Sequence, residues 1–341
     1  MFARAAEEDP TIKAVLKDAI LYKIDCEKGE GIELAERYEV RGYPTFKMVD
    51  ARGVELERWI GYDGPEVWAT LVRAGVADRR SLLTKSEAYL TAPTAVLARS
   101  LGNAAATTYD WQGAVDFFKA AADLDPAGAD EYEESIVSYT FYGTRGDEPV
   151  FGLDDLVAVA QPAFAREGQA GQGQLMIASM VTTVARDAGR PEAAVPFLQD
   201  AMAATADATD ADLLRSRARL EVDHALLVEK DPARAVTLKK ATLPEGWQDD
   251  AGRLNSFAWW CFENEVNLAE AEELALRGVE LAADDAERAT ILDTAAEICS
   301  LRGDCDEAIA RITRAIGLDP ENDYYQEQLA KFEQAKQDKR C

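Results

Sequence analysis

Two stretches of this sequence repeat one spacing of small residues and proline. Gly102, Ala114, Ala121 and Pro126 are separated by 12, 7 and 5 residues, and Ala296, Ala308, Ala315 and Pro320 keep those separations. Each stretch closes on Leu-Asp-Pro, at 124–126 and at 318–320. From about residue 80 onward, alanine-rich helical segments alternate with short turns. Small residues where two helices cross let the backbones approach, and a proline beyond the second helix stops it, having no N–H to donate and clashing with the preceding turn. Thr182, Ala194 and Ala201 keep the first two intervals around Gly189, and Trp259, Ala271 and Gly278 do so with a bulky indole at the first position. A weaker unit surrounds Ala235 in "VEKDPARAVTLKKA", while residues 127–172 hold long breaks, "YGTRGDEPVFG" and "REGQAGQGQ" among them. The region 79–341 is therefore expected to form a helical solenoid of about four to six pairs, since a repeated unit of this kind buries its apolar face only against its neighbours.

Residues 1–78 follow a different pattern. "TIKAVLKD" after Asp9-Pro10 predicts a short helix, and "AILYKID" (19–25) a buried strand running into the loop "CEKGEG". "IELAERY" (32–38) has helical spacing. "TFKMVD" and "VELERWI" read as two strands turned by Gly53, and Pro65 and Gly75 bracket a closing helix. Helix, strand, helix, strand, strand, helix is an α/β layer order. From the residues alone, Pro44 begins an edge strand.

Within this part, "KIDCEKGEGIELAERYEVRGYPTF", continued by Asp50, Gly53, Glu55 and "RWIGYDG", resembles the C-terminal two thirds of a thioredoxin-fold domain. The resemblance implies a cis bond at Pro44 and a loop of Tyr43, Pro44 and Thr45 that offers its backbone to a substrate chain. It also makes Lys23 the lysine facing a buried acid, and Gly61 the glycine ending the last strand. The family's opening strand-helix-strand and its Trp-Cys-x-x-Cys motif have no counterpart here, an absence of about 30 residues judged from ordinary element lengths. The 12, 7, 5 spacing in turn resembles the tetratricopeptide repeat (TPR), a helix-turn-helix unit of about 34 residues. The fold class so implied is α/β plus all-α: an incomplete thioredoxin-like domain over 1–78, followed by a TPR-like α-helical solenoid over 79–341.

Composition restricts the function. Against 37 Lys and Arg stand 63 Asp and Glu, a formal charge of -26. Phosphate backbones and anionic membrane surfaces are poor partners for such a chain. No window approaches a membrane span of about 20 apolar residues. The first residues lack the apolar run of a signal peptide, so the sequence reads as cytoplasmic as given, with export open to a longer product. The five cysteines, Cys26, Cys261, Cys299, Cys305 and Cys341, contain no Cys-x-x-Cys pair. Cys26 and Cys299 read as structural thiols, Cys341 as exposed, and a bridge between Cys299 and Cys305 is left open. The single histidine, His224, reads as a helix residue, and the aromatics Phe257, Trp259, Trp260 and Phe262 mostly as core. No metal, cofactor or catalytic residue is expected. Two functions remain. One is a thiol-disulfide oxidoreductase of the thioredoxin type, inactive in redox as given, whose catalytic pair lies in a longer native product and whose helical region holds protein clients. The other is a non-catalytic adaptor that binds proteins or peptides through the repeat groove and the Pro44 loop.

Overall fold

A computed structural model describes residues 2–165 and 171–338 of the chain, which are mostly helical. The chain divides into two compact units, Met1–Phe197 and Leu198–Cys341.

The first unit opens with α1 (Phe2–Glu8) and α2 (Pro10–Val15). The Asp9 carboxylate caps α2 by accepting from the Thr11 and Ile12 amides, which answers two of the orphan donors at a helix start. After α3 (Glu30–Arg37) come β1 (Thr45–Val49) and β2 (Glu55–Ile60), antiparallel with Thr45 opposite Ile60. Gly53 turns the hairpin at φ 79°. The helix α4 (Pro65–Ala77) completes this part, with Pro65 at its start as its missing N–H allows. Ile12, Val15, Trp59, Trp68 and Val72 form the core here, joined by Phe2, Phe46 and Met48. Phe46 stacks on Trp59 at 5.4 Å, and Phe2 meets Phe46 edge-on at 4.7 Å.

The strand expected at 19–25 is not formed. Among the described residues the sheet has two strands, so this run has no ladder to join. It stays extended, with Leu21 packed on the core but Ile20 98% and Tyr22 78% exposed. An apolar run makes a strand only where a neighbour takes up the backbone groups. The larger sheet implied by the resemblance is accordingly not formed among the described residues.

Helix α5 (Leu82–Thr91) is followed by α6 (Ala95–Thr107) and α7 (Trp111–Leu124), then α8 (Ala129–Gly143), α9 (Leu153–Phe164) and α10 (Gly171–Asp187). The first repeat segment is the pair α6 and α7. A Cβ built at Gly102 would meet the Phe118 ring at 2.7 Å, and Ala114 and Ala121 are fully buried. In the stretch thought to be broken, α8 and α9 occupy most of the length. "YGTRGDEPVFG" supplies the loop between them, and most of "REGQAGQGQ" lies outside the described residues. A 3₁₀ turn, Pro191–Ala194, then leads into α11 (Val195–Ala204), which contains the boundary of the two units.

The second unit continues with α12 (Ala211–Leu227), α13 (Pro232–Ala241), α14 (Ala251–Glu263), α15 (Leu268–Leu281), α16 (Asp285–Leu301), α17 (Cys305–Leu318) and α18 (Asp323–Gln337). The second repeat segment is the pair α16 and α17, with Ala296, Ala308 and Ala315 fully buried. Both segments end alike. The amide of Asp125 returns to the Ala121 carbonyl and that of Asp319 to Ala315, and the backbone leaves at φ -137°, ψ 75° and φ -138°, ψ 74° before each proline. A residue before proline is pushed out of the helical region, so the helix stops at Leu124 and at Leu318. No helix among the described residues is long and apolar enough to cross a membrane.

One buried ion pair ties the sheet of the first unit to its helices. The register of β1 on β2 slips between Met48 and Val49, which leaves Leu56 without an opposite residue. Its carbonyl accepts from Lys85 Nζ of α5 at 2.8 Å, and the same ammonium reaches Glu57 Oε1 at 2.6 Å. Ser100 of α6 donates to the other Glu57 oxygen at 2.6 Å. Lys85 is 1% exposed. Removing one partner of such a pair leaves a buried charge unanswered, so Lys85→Ala is expected to cost the first unit about 3–5 kcal/mol in urea unfolding, and Lys85→Met with Glu57→Leu to recover most of that. A loss under about 1 kcal/mol for the single variant would contradict this role.

Candidate functional site

The Tyr43–Pro44 peptide bond is cis. The Pro44 carbonyl accepts from the amide of Gly61 at 2.9 Å, one step beyond the last strand pair, and Gly61 holds φ 90° there. The Thr45 hydroxyl donates to the Gly42 carbonyl at 2.6 Å, closing a tight loop. Tyr43 projects into solvent. Desolvation, together with the nearby Cys26, Glu27 and Asp25, raises its hydroxyl above the usual value.

The other side of this loop is fixed by a turn of the helical region. Arg41 Nη1 donates to the Thr108 carbonyl at 3.0 Å, and the Tyr109 hydroxyl donates to the Arg41 carbonyl at 2.6 Å. A Cβ at Gly42 would come within 2.7 Å of that hydroxyl, so glycine is what permits the approach. Tyr109 itself holds φ 64°. In the matching turn between α16 and α17, the left-handed position belongs to Gly303. A tyrosine there costs about 1–2 kcal/mol that glycine avoids.

Tyr109 continues into an aromatic layer. Trp111, the first residue of α7, stacks on Tyr109 at 5.1 Å, on Tyr142 at 5.5 Å and on Tyr139 at 6.0 Å, all within 30° of parallel. Sequence reasoning did not single these residues out. The signal was nevertheless present: in the two aligned repeats, Tyr109 and Trp111 stand where Gly303 and Cys305 stand, and small turn residues are replaced by large rings.

The remaining sequence candidates are dispersed. Lys23 pairs with the exposed Glu7 at 3.5 Å. Cys26 is a free, half-buried thiol in the turn before α3. His224, on α12, lies 3.2 Å from Glu229. Phe257 is fully buried, Trp260 and Phe262 pack against the same core, and Trp259 leans on Phe262 at 5.0 Å. Cys299 is a free thiol, so it forms no bridge with Cys305, and Cys341 lies outside the described residues. The Cys299 thiol meets Glu272 at 3.3 Å, where burial above all pushes it up to about 12. Burial is the largest single influence on the Glu272 carboxylate and raises it, but the hydrogen bonds from Arg311, at 2.6 Å, and Cys299 and the charges of Arg311 and Arg302 together outweigh it and hold that group low.

A second polar cluster joins α16 to α18. Tyr324 donates to Asp293 Oδ2 at 3.3 Å, while Asp293 Oδ1 has no hydrogen-bond partner among the described residues. Burial, then the neighbouring Glu297, raises the Asp293 carboxyl from 3.8 to about 6. Folding thus favours the protonated form. The stabilisation is complete below about pH 4 and is lost as pH rises through 6. Between pH 4.5 and 7.5 this group is expected to withdraw about 2 kcal/mol from the second unit. Urea unfolding at those two pH values should show a smaller loss in Asp293→Asn by that amount; equal losses would contradict the assignment.

No family model matches the sequence, and no curated protein matches it. Among solved structures, the chain is similar to YrrB, a TPR protein with an unusual peptide-binding site, at 14% identity and a TM-score of 0.35, over 72% of this chain and 98% of that one.

Proposed function

We propose that this chain is a non-catalytic scaffold that binds proteins or peptides through TPR-like helix pairs. The observation that carries the reading is the fate of the repeated spacing. Both template segments become helix pairs, their alanines are fully buried at the crossings, and both second helices end with the same dihedrals before proline. Helix pairs stacked within one unit leave one face of each first helix to a groove, which suits an extended segment of another chain. In this reading residues 79–341 carry the pairs. Residues 1–78 are an appendage whose Tyr43-Pro44-Thr45 loop, held against the α6–α7 turn, adds to the binding surface.

The thiol-disulfide reading has less support. Exchange needs a thiolate of lowered pKa and a second sulfur to resolve the mixed disulfide. Cys26 has no neighbouring cysteine in sequence, and burial pushes the Cys261 thiol up to about 12.

Panning a phage-displayed library of random 12-residue peptides on the immobilised full chain tests the proposal. Enriched sequences that bind in solution at micromolar concentration, from a chain that does not reduce insulin, are the expected result. Insulin turnover abolished by Cys26→Ser, or panning that yields no binder, would overturn it.

A further inference from the structure

Helix α18 lies against the second unit through apolar packing and two ion pairs. Tyr325, Leu329 and Phe332 join the core that α16 and α17 help to build, and Phe332 is fully buried. Lys331 pairs with Glu297 of α16, and Lys336, in the last turn of α18, pairs with Asp306 in the first turn of α17. Ion pairs with one exposed partner add little to stability. The pair at Lys336 matters for direction: α18 runs back along α17, so its end stands beside the start of α17.

That arrangement brings two sulfurs within reach of each other. Cys305 is the first residue of α17, next to Asp306, and Cys341, outside the described residues, follows Lys336 by five residues. Five residues of extended chain span up to about 17 Å. A disulfide needs its two Cα atoms within about 7 Å, and a tail that sets out from beside Asp306 has the length to meet that limit at Cys305. Charge favours the same meeting. Lys336, Lys339 and Arg340 outnumber Asp338 along the tail, whereas α17 opens with Asp304, Asp306 and Glu307, of which Glu307 also pairs with Arg311 at 3.0 Å. The state of the other thiols leaves one pairing within the chain. Cys26, Cys261 and Cys299 are free, whereas Cys305, 4% exposed, is disulfide-bonded.

We propose that Cys305 and Cys341 form a reversible disulfide that latches α18 onto the second unit, with a low-molecular-weight disulfide such as oxidised glutathione as the oxidant. The Cys341 thiolate attacks one sulfur of the small disulfide and displaces a first thiolate; Cys305 then attacks the Cys341 sulfur and displaces the second. The oxidant's S–S bond breaks and the Cys305–Cys341 bond forms. Two electrons pass from the protein to the oxidant, and the two protons leave with the two small thiols. A helix at the end of a stack is among the first elements to open. A bridge across its open end restricts the states in which α18 has left its place, and so keeps Tyr325, Leu329 and Phe332 over the core. This goes beyond the scaffold reading and does not depend on it.

The test equilibrates the full chain with oxidised glutathione or with dithiothreitol, blocks the remaining thiols with N-ethylmaleimide in denaturant, and locates the links by non-reducing peptide mapping. Hydrogen exchange over Asp323–Gln337 is followed in both samples and in Cys341→Ser, which changes a tail residue and leaves the α18 core residues in place. The expected result is a Cys305–Cys341 link within one chain in the oxidised sample alone, with Cys26, Cys261 and Cys299 alkylated in both. Exchange in α18 should be at least about ten-fold slower when oxidised, and in Cys341→Ser the two samples should exchange alike. Alkylated Cys305 and Cys341 after oxidation, a link to another cysteine or between two chains, or a link that dithiothreitol does not open would each overturn the proposal. So would a link that leaves exchange in α18 unchanged, or a redox difference that persists in Cys341→Ser.

Discussion

Two helices joined by a three-residue turn lie alongside each other only if something small stands where they cross, and much of this chain follows from that constraint. Gly102 faces the Phe118 ring at a distance that excludes even a methyl group, and Ala296, Ala308 and Ala315 of the equivalent pair are fully buried. The turns obey the same economy of space. In each, one residue takes a left-handed conformation and an aspartate then caps the second helix, Asp110 accepting from Gly113 and Asp304 from Glu307. Close approach sets which residues stand at the crossing, and the cap and the proline set how long the second helix runs.

The sheet depends on its helices as well. Two strands alone are marginal in water, and here Glu57 draws α5 and α6 onto β2 through Lys85 and Ser100, while Gly75 of α4 passes close enough that a Cβ would meet Glu57 at 2.9 Å. On the far side, Arg41 and Tyr109 join the loop before β1 to the α6–α7 turn. The charge that fastens the sheet is fully enclosed and satisfied.

Much of this organisation was legible in the sequence. The 12, 7, 5 spacing located both template pairs and their ends, and Gly53, Pro65 and Gly61 marked the hairpin and its exits, because glycine and proline act through local backbone geometry. The expected strand at 19–25 was misread since its pattern states only which side chains are apolar, and whether a ladder exists depends on residues elsewhere. Helices α8 and α9 were hidden by the Gly- and Pro-bearing loop between them. Lys85 gave no sign of burial, because its partner, Glu57, is distant in sequence and is brought to it by the bulge at Leu56. Tyr109 and Trp111 were visible only as a difference between two copies of a repeat, and their stacking with Tyr139 and Tyr142 is a product of packing.

The account stands or falls on the crossing of the helix pairs. Ala308→Leu in the full chain, followed by hydrogen exchange and urea unfolding read separately over the two units, tests it most directly. Forcing a larger side chain into a filled crossing is expected to cost the second unit about 1–3 kcal/mol and to leave the first unit unmoved. A second unit as stable as before, within about 0.5 kcal/mol as for an ordinary surface substitution, would mean that small residues at these positions do not govern how the helices meet.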